Sequence, residues 1–78
     1  MRINEAINRI NRMHTMIQKR RTGSPKELAK KLNLSVSAVY RQLSYMKDCG
    51  APIAYCRKDG TYFYQFEVDV SIFFGFTP

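Results

Sequence analysis

Seventy-eight residues, of which 45% are hydrophobic, make one small domain near the lower size at which a single core holds without disulfides or a structural metal. Thirteen Lys and Arg against six Asp and Glu give a formal charge of +7, a field that favours polyanionic partners over acidic-patch or membrane-spanning roles. No apolar run approaches membrane length and the N-terminus is amphipathic, so neither a span nor a signal peptide is expected, and the expected location is cytoplasmic.

In chain order, residues 2 to 21 read as one long helix, with Ile3, Ala6, Ile7, Ile10, Met13 and Ile17 on one face. Arg9, Arg12, Lys19 and Arg20 lie on its polar face. The run Lys19-Arg20-Arg21 suits the negative end of the helix dipole, and a scaffold helix with a solvated basic end is the expectation. Thr22-Gly23 is the expected break, and the residues before Ser24 are candidates for a brief strand beside a sheet.

Ser24, Pro25 and Glu27 then spell a capping box with proline at the first helical position. Leu28, Ala29 and Leu32 share a face while Lys26, Lys30 and Lys31 point elsewhere. Asn33 tolerates the left-handed conformation that stops a helix, Leu34 returns to the core and Ser35 caps the next helix. In that second helix Val36, Val39, Leu43 and Met46 form the inward arc at about 100° per residue. Ser37, Arg41, Ser44 and Asp48 form the opposite arc, with Ala38, Tyr40 and Tyr45 on the flanks. A long cation among small hydroxyl residues leaves a helix free to approach phosphates closely. Ala29 supplies the small contact that two helices crossing through a tight turn require.

Cys49-Gly50 ends that helix and Pro52 turns the chain. Residues 53 to 57 and 61 onward then alternate as strands about Asp59-Gly60, a two-residue hairpin signal. That loop predicts Arg57 opposite Tyr62, Tyr55 opposite Tyr64, Cys56 opposite Phe63, Ala54 opposite Gln65 and Ile53 opposite Phe66. One face becomes aromatic and apolar, and Arg57 and Lys58 sit at the tip.

The stretch LAKKLNLSVSAVYRQLSYMKDCGAPIAY, with Tyr62 to Tyr64 in the second wing strand, resembles the DeoR-like winged helix-turn-helix of bacterial transcription regulators. The matching residues are Leu28-Ala29, Leu32, Ser35, Val39-Tyr40-Arg41, Leu43, Met46 and Gly50-Ala51-Pro52-Ile53, and the likeness covers roughly residues 5 to 66. It implies a mainly α fold with a small β-wing (α+β): a three-helix winged helix-turn-helix domain over residues 1–66, followed by a C-terminal extended strand, residues 67–78. It also implies that Ser35 and the exposed side of residues 36 to 44 meet the major groove, while Arg57 and Lys58 reach the backbone or minor groove. Where the family commonly has basic residues after the capping serine, this chain has Val36-Ser37-Ala38, and Gln42 replaces an acidic residue. Guanine reading then falls to Arg41, the usual bidentate partner type. Many relatives carry a ligand-sensing domain after the wing; there is no room for one here, so no small-molecule ligand is expected within this chain.

From Tyr62 the even positions Tyr62, Tyr64, Phe66, Val68, Val70, Ile72, Phe74 and Phe76 are all apolar, a strand pattern that overshoots its hairpin partner. Val68, Val70, Ile72 and Phe74 are therefore expected to fold back onto the first helix or, preferably, to pair with a second subunit. A homodimer would add to the 600 to 1,000 Å² or so that one small module buries on DNA and would span two half-sites.

His14 has no Asp, Glu or Cys at ligand spacing, and Cys49 and Cys56 fit no disulfide or zinc pattern. They are expected to be reduced, half-buried thiols. No metal or cofactor is expected. No phosphate-binding glycine loop, activated nucleophile or carboxylate cluster suggests an enzyme. Three readings remain. In a duplex-DNA-binding regulator, Ser37, Arg41 and Ser44 face bases while Lys26, Ser35, Tyr40, Arg57 and Lys58 hold phosphates. The others are a protein-interaction module and an RNA binder using Tyr45 and Phe63 as its only stacking aromatics.

Overall fold

The computed structural model describes residues 3–67, with side chains from Asn8 onward. The proposed pairing residues Val68, Val70, Ile72 and Phe74 lie outside the described residues. Helix α1 runs Ile3–Gln18, α2 Pro25–Leu32 and α3 Val36–Asp48, followed by strands β1 Ile53–Cys56 and β2 Thr61–Tyr64. The strands form a two-stranded antiparallel sheet, so the architecture is the α+β winged helix-turn-helix expected from sequence.

All three helices stop in the same way. In each, a residue of positive φ follows the last turn, and two N–H groups reach back to the orphaned carbonyls. Asn33 (φ 57°) does this after α2, with Asn33 N–H to Lys30 O and Leu34 N–H to Ala29 O at 3.2 and 2.9 Å. Gly50 (φ 101°) does it after α3, through Gly50 to Lys47 and Ala51 to Met46. After α1 the position is taken by Arg20 (φ 56°), bonded to Ile17 O at 3.1 Å while Arg21 reaches Met16 O at 2.9 Å. The first helix therefore ends ahead of Thr22-Gly23, the break read from sequence. An arginine accepts the left-handed strain because its guanidinium lies over the Phe63 ring, 4.7 Å from the centroid.

The capping box forms as its residue types require. Ser24 Oγ accepts from Glu27 N–H at 3.2 Å and Glu27 Oε1 accepts from Ser24 N–H at 3.0 Å. These bonds hold the Glu27 carboxyl below its ordinary pKa. Gly23 (φ 73°) makes the box possible, since a Cβ there would stand 2.9 Å from Glu27 Cβ. Between the positive-φ residues Arg20 and Gly23, only Arg21 and Thr22 remain to run extended, too few for the brief strand expected there. Thr22 instead docks on β2 through hydroxyls. Tyr62 N–H donates to Thr22 Oγ1 at 2.8 Å, and Thr22 N–H donates to Thr61 Oγ1 at 3.1 Å. Both threonines are buried, at 0% and 3% exposure, and each bond substitutes for a missing ladder bond.

The core gathers Met13 and Ile17 of α1, Leu28, Ala29 and Leu32 of α2, Val39, Leu43 and Met46 of α3, and Ala51, Ile53 and Tyr62 below the wing. Val36, read as part of the inward arc, packs at the edge of this cluster, half-buried. Burying each such aliphatic side chain contributes about 1.5–3 kcal/mol. His14 joins α1 to β2: its Nδ1 lies 2.9 Å from the Tyr64 hydroxyl. Burial pushes the Tyr64 phenol up to about 12.

The hairpin differs from expectation by two residues. The observed pairs are Ile53 with Tyr64, Ala54 with Phe63, Tyr55 with Tyr62 and Cys56 with Thr61, so Arg57 opposes nothing and residues 57–60 are the turn. A two-residue turn of the expected type needs positive φ at both Asp59 and Gly60, and of the pair only Gly60 (φ 65°) has it. Gly60 N–H closes the longer turn on Cys56 O at 2.7 Å, and Asp59 N–H points to Cys56 Sγ at 3.4 Å. Because the shift is even, every side chain keeps its expected face while every partner changes. The shift also ends the ladder early. Gln65 N–H bonds Pro52 O at 2.9 Å, but Pro52 has no N–H to return. The strand therefore stops at Tyr64 rather than running on through Phe66, which is 64% exposed.

Candidate nucleic-acid interface

The outward arc of α3 is built by packing on its other side. With Val39, Leu43 and Met46 in the core, Ser37, Arg41 and Ser44 at i, i+4 and i+7 project together into solvent, and all are exposed. Ala38 on one flank is half-buried, and Tyr40 on the other is 53% exposed. Ser35 Oγ accepts from Ala38 N–H at 3.1 Å, so the cap uses one lone pair of the hydroxyl and leaves its own proton to donate. The first turn of α3 carries no acidic residue. No acidic side chain of α3 itself therefore offsets its positive dipole end, and the capping Ser35 there is exposed.

Lys26 belongs with that end. It lines a groove between the starts of α2 and α3 together with Ser24, Glu27, Ala29, Lys30, Leu34, Ser35 and Val36. Arg57 and Lys58 are exposed in the wing turn beside exposed Asp59. The expected residues thus fall into three groups: Lys26 with Ser35, the α3 arc, and the wing tip.

Other cations are tied into the scaffold. Arg12 Nη2 donates to Lys31 O at 2.9 Å, and Lys31 Nζ donates to Arg21 O and Thr22 O at 2.8 and 3.3 Å. At the basic end of α1 the Arg20 guanidinium lies over Phe63, while Lys19 and Arg21 are exposed.

A tyrosine cluster escaped the sequence reading. Tyr55 and Tyr62 are cross-strand neighbours with ring centroids 4.8 Å apart, edge to face. Burial lifts the Tyr62 phenol above its ordinary pKa, and the nearby phenols of Tyr40 and Tyr55 push in the same direction. The alternation of Tyr55, Tyr62 and Tyr64 carries the signal, and the two-residue shift in register sets Tyr55 beside Tyr62 rather than Tyr64. Of the two aromatics expected to stack, Tyr45 is exposed and Phe63 is not. Tyr40, Tyr45, Tyr55 and Phe66 are exposed, whereas Phe63 is half-buried beneath Arg20.

Cys49 and Cys56 are free and half-buried. Among the described residues, no group of three or more His, Cys, Asp or Glu is placed to hold a metal ion, and no helix is long and apolar enough to cross a membrane.

A profile described as "HTH domain" matches residues 9–60, more than half of the chain and every element from within α1 to the wing turn. The chain belongs to the HTH domain family. Membership makes DNA the partner class and DNA-binding regulation the general role; domains of this family are typically not enzymes. No curated protein and no solved structure matches the chain.

Proposed function

We propose that this HTH domain is a sequence-selective duplex-DNA binder acting as a small bacterial transcription regulator of the DeoR-like kind. Helix α3 enters the major groove, with Ser37, Arg41 and Ser44 toward base edges and Ala38 leaving space beside them. Lys26, Ser35 and Tyr40 hold phosphates flanking the groove, and Arg57 and Lys58 hold the backbone or enter the minor groove. Residues 1–66 form the DNA-binding domain. Residues 67–78 supply a homodimer contact or fold-back element through Val68, Val70, Ile72 and Phe74.

The observation that supports this reading most is the α3 arc itself, where Arg41 stands exposed with Ser37 and Ser44 on a helix whose first turn carries no acidic residue, the one acid of the arc, Asp48, lying at its far end. A docking platform for proteins would instead favour an apolar or mixed surface at this place. Binding of matched duplex DNA, single-stranded DNA and RNA across a salt series tests the reading. Duplex preference with affinity falling steeply with salt is expected, and equal or tighter RNA binding, or no duplex binding near physiological salt, would contradict it. On a selected duplex, Arg41→Ala is expected to cost about 1–3 kcal/mol of discrimination against a substituted guanine pair. A uniform loss on all sequences would make Arg41 a backbone contact.

A further inference from the structure

The two edges of the wing sheet are not alike. The outer edge of β2 is closed, since Tyr62 N–H donates to Thr22 Oγ1 and Thr22 N–H donates to Thr61 Oγ1. On β1 the bond from Gln65 N–H to Pro52 O sets the phase of the ladder. Pro52, Ala54 and Cys56 turn their backbone polar groups toward β2, and Ile53 and Tyr55 turn theirs outward. Ile53 N–H is taken by Ala51 O at 2.9 Å. Among the described residues the Ile53 carbonyl and the Tyr55 N–H and carbonyl have no partner. The side chains at this edge are equally unfinished. Ile53, Tyr55, Tyr62 and Tyr64 share the face turned to the core, where Ile53 is 7% and Tyr62 6% exposed, but Tyr55, with no described strand beyond it, is 38% exposed. An open edge with an apolar flank is a template for one more strand.

The chain carries a segment of matching pattern, in which Val68, Val70, Ile72 and Phe74 alternate with Asp69, Ser71 and Phe73. We propose that residues 68–74 of a second copy add to the outer edge of β1 as an antiparallel strand, with Val70 opposite Tyr55 and Ile72 opposite Ile53. Val70 then exchanges two backbone bonds with Tyr55, and the apolar side chains extend the core-facing side over the Tyr55 ring. Charge selects the orientation. Antiparallel, Asp69 lies next to the wing cations Arg57 and Lys58, whereas a parallel strand of the same facing would set Asp69 against Ala54, away from both. Reach selects the second copy. This strand begins with Val68 beside Arg57, ~16 Å from Tyr64 on a straight line through the sheet, and the four residues from Tyr64 to Val68 span at most ~14 Å. The backbone also bends at Gln65 and Phe66, and Phe66 and Glu67 line a cavity with Gln18 and Arg20 at the end of α1. Exchanged both ways, the contact makes an isologous dimer. The proposal rests on the homodimer reading of residues 67–78 above and names the surface that receives them.

Sedimentation and disulfide trapping of the full chain, without DNA, test this. In the proposed register Ala54 and Ser71 oppose each other as a pair without ladder bonds, about 4.5 Å apart at Cα and within the span of a disulfide. Chains carrying Ala54→Cys or Ser71→Cys, with Cys49→Ser and Cys56→Ser in both, are mixed and oxidised. The wild type is expected to sediment as a dimer, and the mixture is expected to yield a dimer linked between positions 54 and 71 that neither chain forms alone. Val70→Pro removes the N–H given to the Tyr55 carbonyl. Its dimer is expected to dissociate about tenfold more readily while its thermal melt at low concentration matches the wild type. Three results overturn the proposal. A chain with both cysteines that closes on itself as a monomer means that the tail folds back on its own β1. Linkage of Ala54→Cys chains to one another means that β1 pairs with β1. A dimer without linkage between positions 54 and 71 means that the tail docks elsewhere. A wild type that stays monomeric defeats the homodimer reading itself, and a trapped dimer that binds no duplex defeats the DNA reading and leaves this one standing.

Discussion

Around the end of α1 and along the outer side of α3 and the wing, this small protein uses the same residue types in opposite ways. Near α1, Arg12, Lys31 and Arg20 spend their charge on carbonyls and on the Phe63 ring, and the buried hydroxyls of Thr22 and Thr61 are fully occupied. On α3 and the wing, Arg41, Arg57 and Lys58 stand exposed, as do Ser37 and Ser44. A net charge of +7 does not distinguish these regions. Partners do: a cation that bridges two segments holds the fold, and one left exposed at the end of a packed element can be offered to something else. Substitutions near α1 should therefore move stability and leave the salt dependence of DNA binding alone, and substitutions on the outer side should do the reverse.

The largest separation is expected at Thr22. Thr22→Val keeps the shape but leaves the buried Tyr62 N–H without its acceptor, which should cost about 2 kcal/mol in urea unfolding. The residual folded protein should bind DNA with the wild-type salt slope. Stability unchanged by that substitution would mean that the two-threonine joint contributes little and that the linker is held by packing alone.

Lysine gives a matched pair. Lys31→Met removes the donor to Arg21 and Thr22 carbonyls and should lower stability by about 1 kcal/mol without altering the slope. Lys58→Met, in the wing turn, should change stability by less than about 0.5 kcal/mol while lowering the slope by about one. Equal effects of the two on the slope would erase the distinction between the regions.

A smaller effect is expected from pH. The Tyr64 phenol ionises at about 12 when folded against an ordinary value of 10.0, and Tyr62 shifts in the same direction. The unfolded chain thus releases these protons first as pH rises, so the Tyr64 contribution is intact below pH 10 and is lost between about 10 and 12. Tyr64→Phe, although less stable at neutral pH for want of the His14 contact, should show a flatter decline of stability over that alkaline range. An unchanged decline would place the alkaline sensitivity elsewhere.

The α2–α3 unit was readable from sequence because its determinants are local. Ser24, Pro25 and Glu27, then Asn33, then Ser35 each act within four residues, and the structure uses each in the role its chemistry suggests. What misled was decided by distant partners. Asp59-Gly60 looks like a two-residue loop until Cys56 and Thr61 pair and leave four residues to turn. Arg20 gives no sign of a helix stop, because the ring that compensates its strained backbone is 43 positions away in sequence at Phe63. The tyrosine cluster was hidden by the same register error, which preserved the faces and scrambled the neighbours. The exposed arc of α3 was legible because a helix face follows from period alone, whereas what that arc touches depends on a partner molecule.

The most direct measurement is an amide chemical-shift titration of the full chain with a duplex it binds. The largest changes are expected at Ser35, Ser37, Arg41 and Ser44 and in the turn 57–60, with little at Arg12, Lys19 and Arg21. Changes centred on the α1 end with the α3 arc unmoved would contradict the assignment of α3 as the face that meets DNA.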